Sequence, residues 1–241
     1  MPVVYGATRG TPSLTPDAAG WWEVGVEVSD GTWTAATSTR FYVHSDTTIS
    51  IPGDFDTLQE VSELLAHGLR LELGAGTHPG NVSLAADVVV VGQGIDSTTV
   101  KGWLQLAAGT HVQLSDITVT RPEETEHSGP LVDLEPGSWL DVRDVRIDGL
   151  DVTAVSTDQA VLTGWGLETL SELYGVHELQ SVIRLGHARL AGEQNALWSD
   201  GGVVSLEGAT ATSYDNDPIN LTNGLQVELR HVTAWSTANV Y

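Results

Sequence analysis

The stretch "DVVVVGQGIDSTTV", residues 87–100, admits two readings. Four valines running into Gly92-Gln93-Gly94 are how a dinucleotide-binding strand meets its phosphate loop. That fingerprint also needs a third Gly or Ala three positions on, and a helix whose N-terminus faces the pyrophosphate. Position 97 is Ser97, and the following Thr98-Thr99-Val100 is β-branched and strand-like. The stretch therefore reads as strand, tight turn, strand, and the question passes to what surrounds it.

After it, the chain repeats itself. "AAGTHVQLSDITV" (107–119) aligns with "EPGSWLDVRDVRI" (135–147), Gly109 falling on Gly137 and Asp116 on Asp144. The shared core is apolar, any residue, a bend residue (Asp, Gly or His), apolar. It returns at Leu162-Thr163-Gly164-Trp165, Leu185-Gly186-His187-Ala188, Leu206-Glu207-Gly208-Ala209 and Leu229-Arg230-His231-Val232. The anchors are Leu114, Val142, Leu162, Leu185, Leu206 and Leu229, which recur at a short and nearly regular interval. Gly109, Gly137, Gly201 and Gly224 each stand at the same offset before their anchors. Short strands at this spacing with no helix between them do not make βα units, which need helical crossovers. They fit a solenoid whose coils stack about 4.8 Å apart, with the anchors in one apolar column. Bend residues with φ > 0 suit Gly and Asp, and are less comfortable for His187 and His231.

Before the valines, one helix is predicted over 56–68. Asp56 is placed at its N-cap and Gln59 three positions on, Leu58, Val61, Leu64 and Leu65 share a face, and Gly68 follows the C-terminus. It would cover the open first coil, an edge that otherwise invites aggregation. Further upstream, residues 21–43 read as a β-hairpin. Trp22, Val24, Val26 and Val28 alternate with Glu23, Gly25, Glu27 and Ser29, and Asp30-Gly31 supplies the turn.

Residues 50–241, with "L-x-L-x-x-G" followed by "N-V-x-L" and then "V-x-V-x-G-x-G-x-x-x-T-x-V", resemble the opening of a right-handed parallel β-helix of the pectin-lyase-like superfamily. His78 stands where that pattern has Tyr. "PSLTPDAAGWWEVGVEVSDGTWTAATSTRFYV" resembles the last strands of PKD-like, immunoglobulin-like modules. The expected fold class is all-β: residues 46–241 as a right-handed parallel β-helix solenoid with a short N-terminal capping helix, and residues 1–45 as the partial immunoglobulin-like hairpin before it. The missing sandwich strands and the uncapped end after Tyr241 lead us to expect continuity with further modules of a longer parent.

Composition narrows the partners. Acidic residues number 32 against 10 basic ones, a net charge of −22, which opposes binding to nucleic acid or anionic membranes. No segment is apolar enough for membrane insertion, and the N-terminus has no signal-peptide pattern. Cysteine is absent, so disulfides and thiolate metal sites are excluded.

The candidate chemistry lies on bends and loops. Asp116 and Asp144 would occupy one bend on adjacent coils, close enough to share a proton or a calcium ion. Asp215, Asn216 and Asp217 form an oxygen-rich loop. The resemblance gives Asp215 and Asp217 two roles, as calcium ligands or as the acid/base pair of a glycoside hydrolase. Glu123, Glu124 and Glu126 make a looser cation trap. His187 and His231 fall two coils apart, too far for one metal. Trp198 is the exposed candidate for stacking on a sugar ring, with Trp235 beside it as a further platform, whereas Trp165 sits at an apolar anchor and belongs to the core. Asn81 and Asn220 lie in glycosylation sequons. The "D-F-I-F-G", "N-T-D", "G-H-G" and "R-x-P-x-x-R" segments of pectin-degrading relatives are absent, and so few basic residues equip the chain poorly for an acidic polysaccharide. The expectation is an exported bacterial surface or extracellular scaffold or adhesion element that contacts polysaccharide or cell-surface glycan. The rivals are a polysaccharide-degrading enzyme of the same superfamily and a trimeric spike.

Overall fold

A computed structural model of the chain describes residues 20–29, 34–43, 48–121, 128–223 and 226–237. The chain divides into two compact units, Met1–Thr47 and Thr48–Tyr241. The first contains an antiparallel hairpin, Gly20–Ser29 with Thr34–Val43, paired without a register break from Gly20↔Val43 to Ser29↔Thr34.

The second unit is a parallel β-helix. Three sheets, here A, B and C, run along it, and each coil from Leu69 to Thr222 contributes one strand to each sheet in that order. The coil of the opening stretch supplies Val88–Val91 to sheet A, Thr98–Lys101 to B and Leu104–Leu106 to C. In three later coils the A and B strands are continuous across a one-residue bend: His111–Thr120, Trp139–Leu150 and Val161–Ser171. Sheet C is built from Val82–Leu84, Leu104–Leu106, Val132–Leu134, Val155–Asp158, Tyr174–Leu179, Asn195–Asp200 and Ile219–Thr222.

Gly92 and Gly94 serve the stacking of coils. A Cβ on Gly92 would lie 2.3 Å from the Asp116 carbonyl oxygen of the next coil. The Gly92 N–H donates to the Ser115 carbonyl at 2.9 Å, and the Gly94 N–H to that of Asp116 at 2.9 Å. Val88 and Val90 point inward at 2% exposure, while Val89 and Val91 are half-buried on the outer side.

The inner column of sheet A runs Ile49, Leu71, Val90, Leu114, Val142, Gly164, Leu185, Leu206, Leu229 by direct register. Gly164, not Leu162, holds the anchor place in its coil, which corrects the expected frame by two positions. Leu162 belongs to the adjoining column, between Leu140 and Ile183. The bend residue of that coil is accordingly Gly166. With this frame the bend column reads Asp116, Asp144, Gly166, His187, Gly208, His231, all left-handed, with φ between 50° and 73°. A second left-handed column turns sheet C into sheet A at Gly109, Gly137, Gln159, Gln180 and Gly201, each at the same offset before the corrected anchor. Asp and His accept this conformation at about 1–2 kcal/mol each, and the stacked coils on either side hold them in it.

The helix is shorter than expected and starts later: it spans Leu58–Ser62, and its N-cap is Thr57. Thr57 Oγ1 accepts from the Glu60 N–H at 3.2 Å, while the Glu60 carboxylate accepts from the Asp56 N–H at 3.2 Å. The box is therefore Thr57/Glu60, one position on from Asp56/Gln59. Leu58 and Val61, at 1% and 0% exposure, pack on Gly76–Pro79 and Val82–Leu84, the first strands of sheets B and C. These strands have no preceding coil of their own, and the helix covers them in its place.

Candidate functional site

Along sheet C, residues in register across coils share a row. The outward row runs Ser83, Gln105, Asp133, Ser156, His177, Trp198, Asn220. Where it turns aromatic, the surface turns concave. His177 and Trp198 lie in register on adjacent coils. Their rings stack with centroids 4.5 Å apart and planes 8° from parallel. Tyr174 tilts against both, 5.0 Å from His177 and 6.4 Å from Trp198. Burial holds the His177 imidazole below its usual range, so it is neutral at pH 7.

The loop from sheet B to sheet C forms the far wall. The N–H groups of Tyr214 and Asp215 both donate to the Glu193 carbonyl, at 3.0 and 2.8 Å, and Leu197 N–H donates to the Pro218 carbonyl at 3.0 Å. Asn195 Nδ2 donates to the Asp217 carbonyl, and Ser213 Oγ to that of Asn216. With its backbone so engaged, the loop leaves the side chains of Asp215, Asn216 and Asp217 exposed. The result is an open cleft of about 570 Å³ lined by Tyr174, Asn195, Trp198, Asp215, Asp217 and Asn220, among others.

The structure thus brings Trp198, Asp215 and Asp217, three separate sequence candidates, to one cleft. Sequence reasoning missed Tyr174, Asn195 and the His177 that stacks on Trp198, and took Asn220 only as part of a sequon. The available signal was the coil length: Tyr174-x-x-His177 and Asn195-x-x-Trp198 are separated by one coil and lie in direct register.

The other candidates lie elsewhere. Asp116 and Asp144 occupy the same A–B bend on adjacent coils. Among the described residues no group of three or more His, Cys, Asp or Glu side chains is arranged to hold a metal. Trp165 is not in the core: the shifted frame turns it outward, and it is 50% exposed. Its indole lies over Gly186 of the next coil, where a Cβ would meet the ring at 2.2 Å, and stacks on His187 at 4.0 Å. Together with Asp144, Glu168 and Arg189, Trp165 and His187 line a second, smaller cleft of about 380 Å³. Glu168 there bridges Arg146, at 3.1 Å, and Arg189, at 3.2 Å. Trp235 is 45% exposed on the last described strand of sheet B. Glu123, Glu124 and Glu126 lie outside the described residues.

No family model, no curated protein and no solved structure matches this chain. No helix among the described residues is long and apolar enough to cross a membrane.

Proposed function

We propose that the chain is a segment of an exported bacterial surface or extracellular protein, in which the parallel β-helix is a scaffold or adhesion element and the cleft on sheet C binds glycan. The observation that carries this reading is the aromatic pair Tyr174 and Trp198, with His177 stacked on Trp198, beside a rim of amide and carboxylate groups. An aromatic face takes the apolar side of a sugar ring, and Asn220, Asp215 and Asp217 offer hydrogen bonds to its hydroxyls. The net charge of −22 favours a neutral saccharide over a polyanionic one. The resemblance to pectin-lyase-like β-helices and to PKD-like modules agrees with an extracellular, polysaccharide-facing setting.

Binding is preferred to hydrolysis for a physical reason. A glycosidase general acid works from an apolar enclosure that keeps it protonated. Asp215 and Asp217 stand on an exposed loop beside an open cleft. Their sharing of the cleft with Trp198 is what favours the enzyme as the second reading.

The test is calorimetry with cellohexaose, xylohexaose, N-acetylchitohexaose and hexagalacturonate, with chromatography of the same mixtures after incubation. The reading predicts saturable binding of a neutral hexasaccharide, lost in Trp198→Ala, with no shorter product. Product formation abolished by Asp215→Ala or Asp217→Ala would establish the hydrolase instead.

A further inference from the structure

The inward row of sheet C reads Leu84, Leu106, Leu134, Thr157, Glu178, Ser199, Leu221. Three leucines give way to three polar residues, each 0% exposed. Thr157 Oγ1 is buried without a hydrogen-bond partner. The Glu178 carboxylate accepts from the Ser181 N–H through Oε1 and from the Ser199 hydroxyl through Oε2, and no cationic side chain pairs with it among the described residues. Gly202 leaves it room: a Cβ there would lie 2.4 Å from Oε1. A buried carboxyl group without a counter-charge is costly, and a leucine would continue the column at no such cost.

The location of this departure gives it meaning. Glu178 follows His177 on its strand, and Ser199 follows Trp198 on the next. The Glu178–Ser199 hydrogen bond therefore ties together, one position away and on the inner side, the two strands that carry the stacked rings. The Ser181 N–H anchors the same carboxylate to the corner into sheet A. Ser199 is held from the other side as well, its carbonyl accepting from Thr222 Oγ1 at 3.2 Å.

We infer that Glu178 is a positioning residue: it fixes the His177–Trp198 platform from inside the helix and lowers fold stability in doing so. That the platform meets a glycan rests on the function proposed above. The geometry of the rings does not, so the two ideas can be tested apart. In the intact chain, the His177 ring protons sit under the Trp198 indole and should resonate upfield of their ordinary positions. Glu178→Leu is expected to be at least as stable as the wild type to urea. Its His177 ring protons should move toward ordinary positions, and its affinity for the neutral hexasaccharides above should fall tenfold or more. Ser199→Ala, which deletes only the donor, should fold normally and shift the same protons. A Glu178→Leu chain that fails to fold, or one that folds with shifts and affinity unchanged, overturns the inference, as does an unshifted Ser199→Ala. If no hexasaccharide binds the wild type but both variants move the His177 protons, the glycan reading falls and the positioning role stands.

Discussion

Sheet C begins with Ser83, Gln105 and Asp133 pointing outward over Leu84, Leu106 and Leu134; two coils later His177 and Trp198 point outward over Glu178 and Ser199. The early coils follow the ordinary alternation of a half-buried strand, polar outside and apolar inside. Their surface groups are satisfied locally, as where Gln105 Nε2 donates to Glu135 at 2.7 Å. The late coils reverse both sides at once. A rule broken on one face is a packing accident that neighbours absorb. Rules broken on both faces of one strand pair, beside a cleft, mark the place where stability was traded for a surface.

The comparison can be broken most severely by exchange. Leu106→Glu places in an early coil what Glu178 is in a late one, between Leu84 and Leu134 and without a Ser199 hydroxyl in register to receive it. The expected loss is more than about 3 kcal/mol by urea denaturation; a loss near zero would mean that the interior accepts carboxylates anywhere. Next comes packing. Leu185→Ala should cost about 2–5 kcal/mol, because Leu185 is 3% exposed in a middle coil. Leu229→Ala, in the same column but 44% exposed on the last described coil, should cost well under half of that. Equal losses would contradict the burial gradient.

On the outer face, Trp198→Ala should lower affinity for a neutral hexasaccharide at least tenfold, about 1.4 kcal/mol, while Gln105→Ala, on the same row in an early coil, leaves affinity unchanged. Proton chemistry sharpens the same contrast. His177 should titrate below the ordinary histidine value of 6.5 in a pH series of NMR spectra, and Trp198→Ala, by opening its surroundings, should bring the midpoint back toward that value. Its folded-state proton affinity is depressed, so the unfolded chain binds more protons below about pH 6.5. The stability that His177 contributes is therefore complete above that pH and lost as the pH falls through the folded-state midpoint. The smallest effect belongs to Thr157→Val: removal of a buried hydroxyl without a partner should stabilise the chain by up to about 1 kcal/mol.

The fold was largely legible. The repeats after position 107 and the valine–glycine turn at 88–94 specify stacked short strands, because so short a period, with glycines at fixed offsets, leaves no length for helical connections. The frame within a coil was less legible. "TGWG" offers two glycines for one left-handed bend, and local sequence cannot choose between Gly164 and Gly166. The neighbouring coils choose. Pairing Val142 with Gly164 and Leu185 places the bend at Gly166, and the whole coil follows, Trp165 outward included. The helix was over-extended in the sequence reading because Leu64 and Leu65 keep the helical period. In the structure the helix ends at Ser62, with Leu58 and Val61 fully buried and Leu64 and Leu65 only half-buried beyond it, and helical propensity alone does not extend a one-turn helix.

The sequence by itself determined a parallel stack of β coils, its capped beginning and its acidic surface, since periodicity, glycine placement and charge are properties of the chain read in order. Tertiary structure alone decided which residues meet. Trp198, Asp215 and Asp217 are joined by a loop tied back to Glu193, and His177 lies on Trp198 because each coil sets a residue beside its counterpart in the next. Glu178 looks from the sequence like one more surface acid in an acidic protein. Only the alternation imposed by its neighbours on both sides turns it inward, beneath the rings, where its burial has a cost and a use.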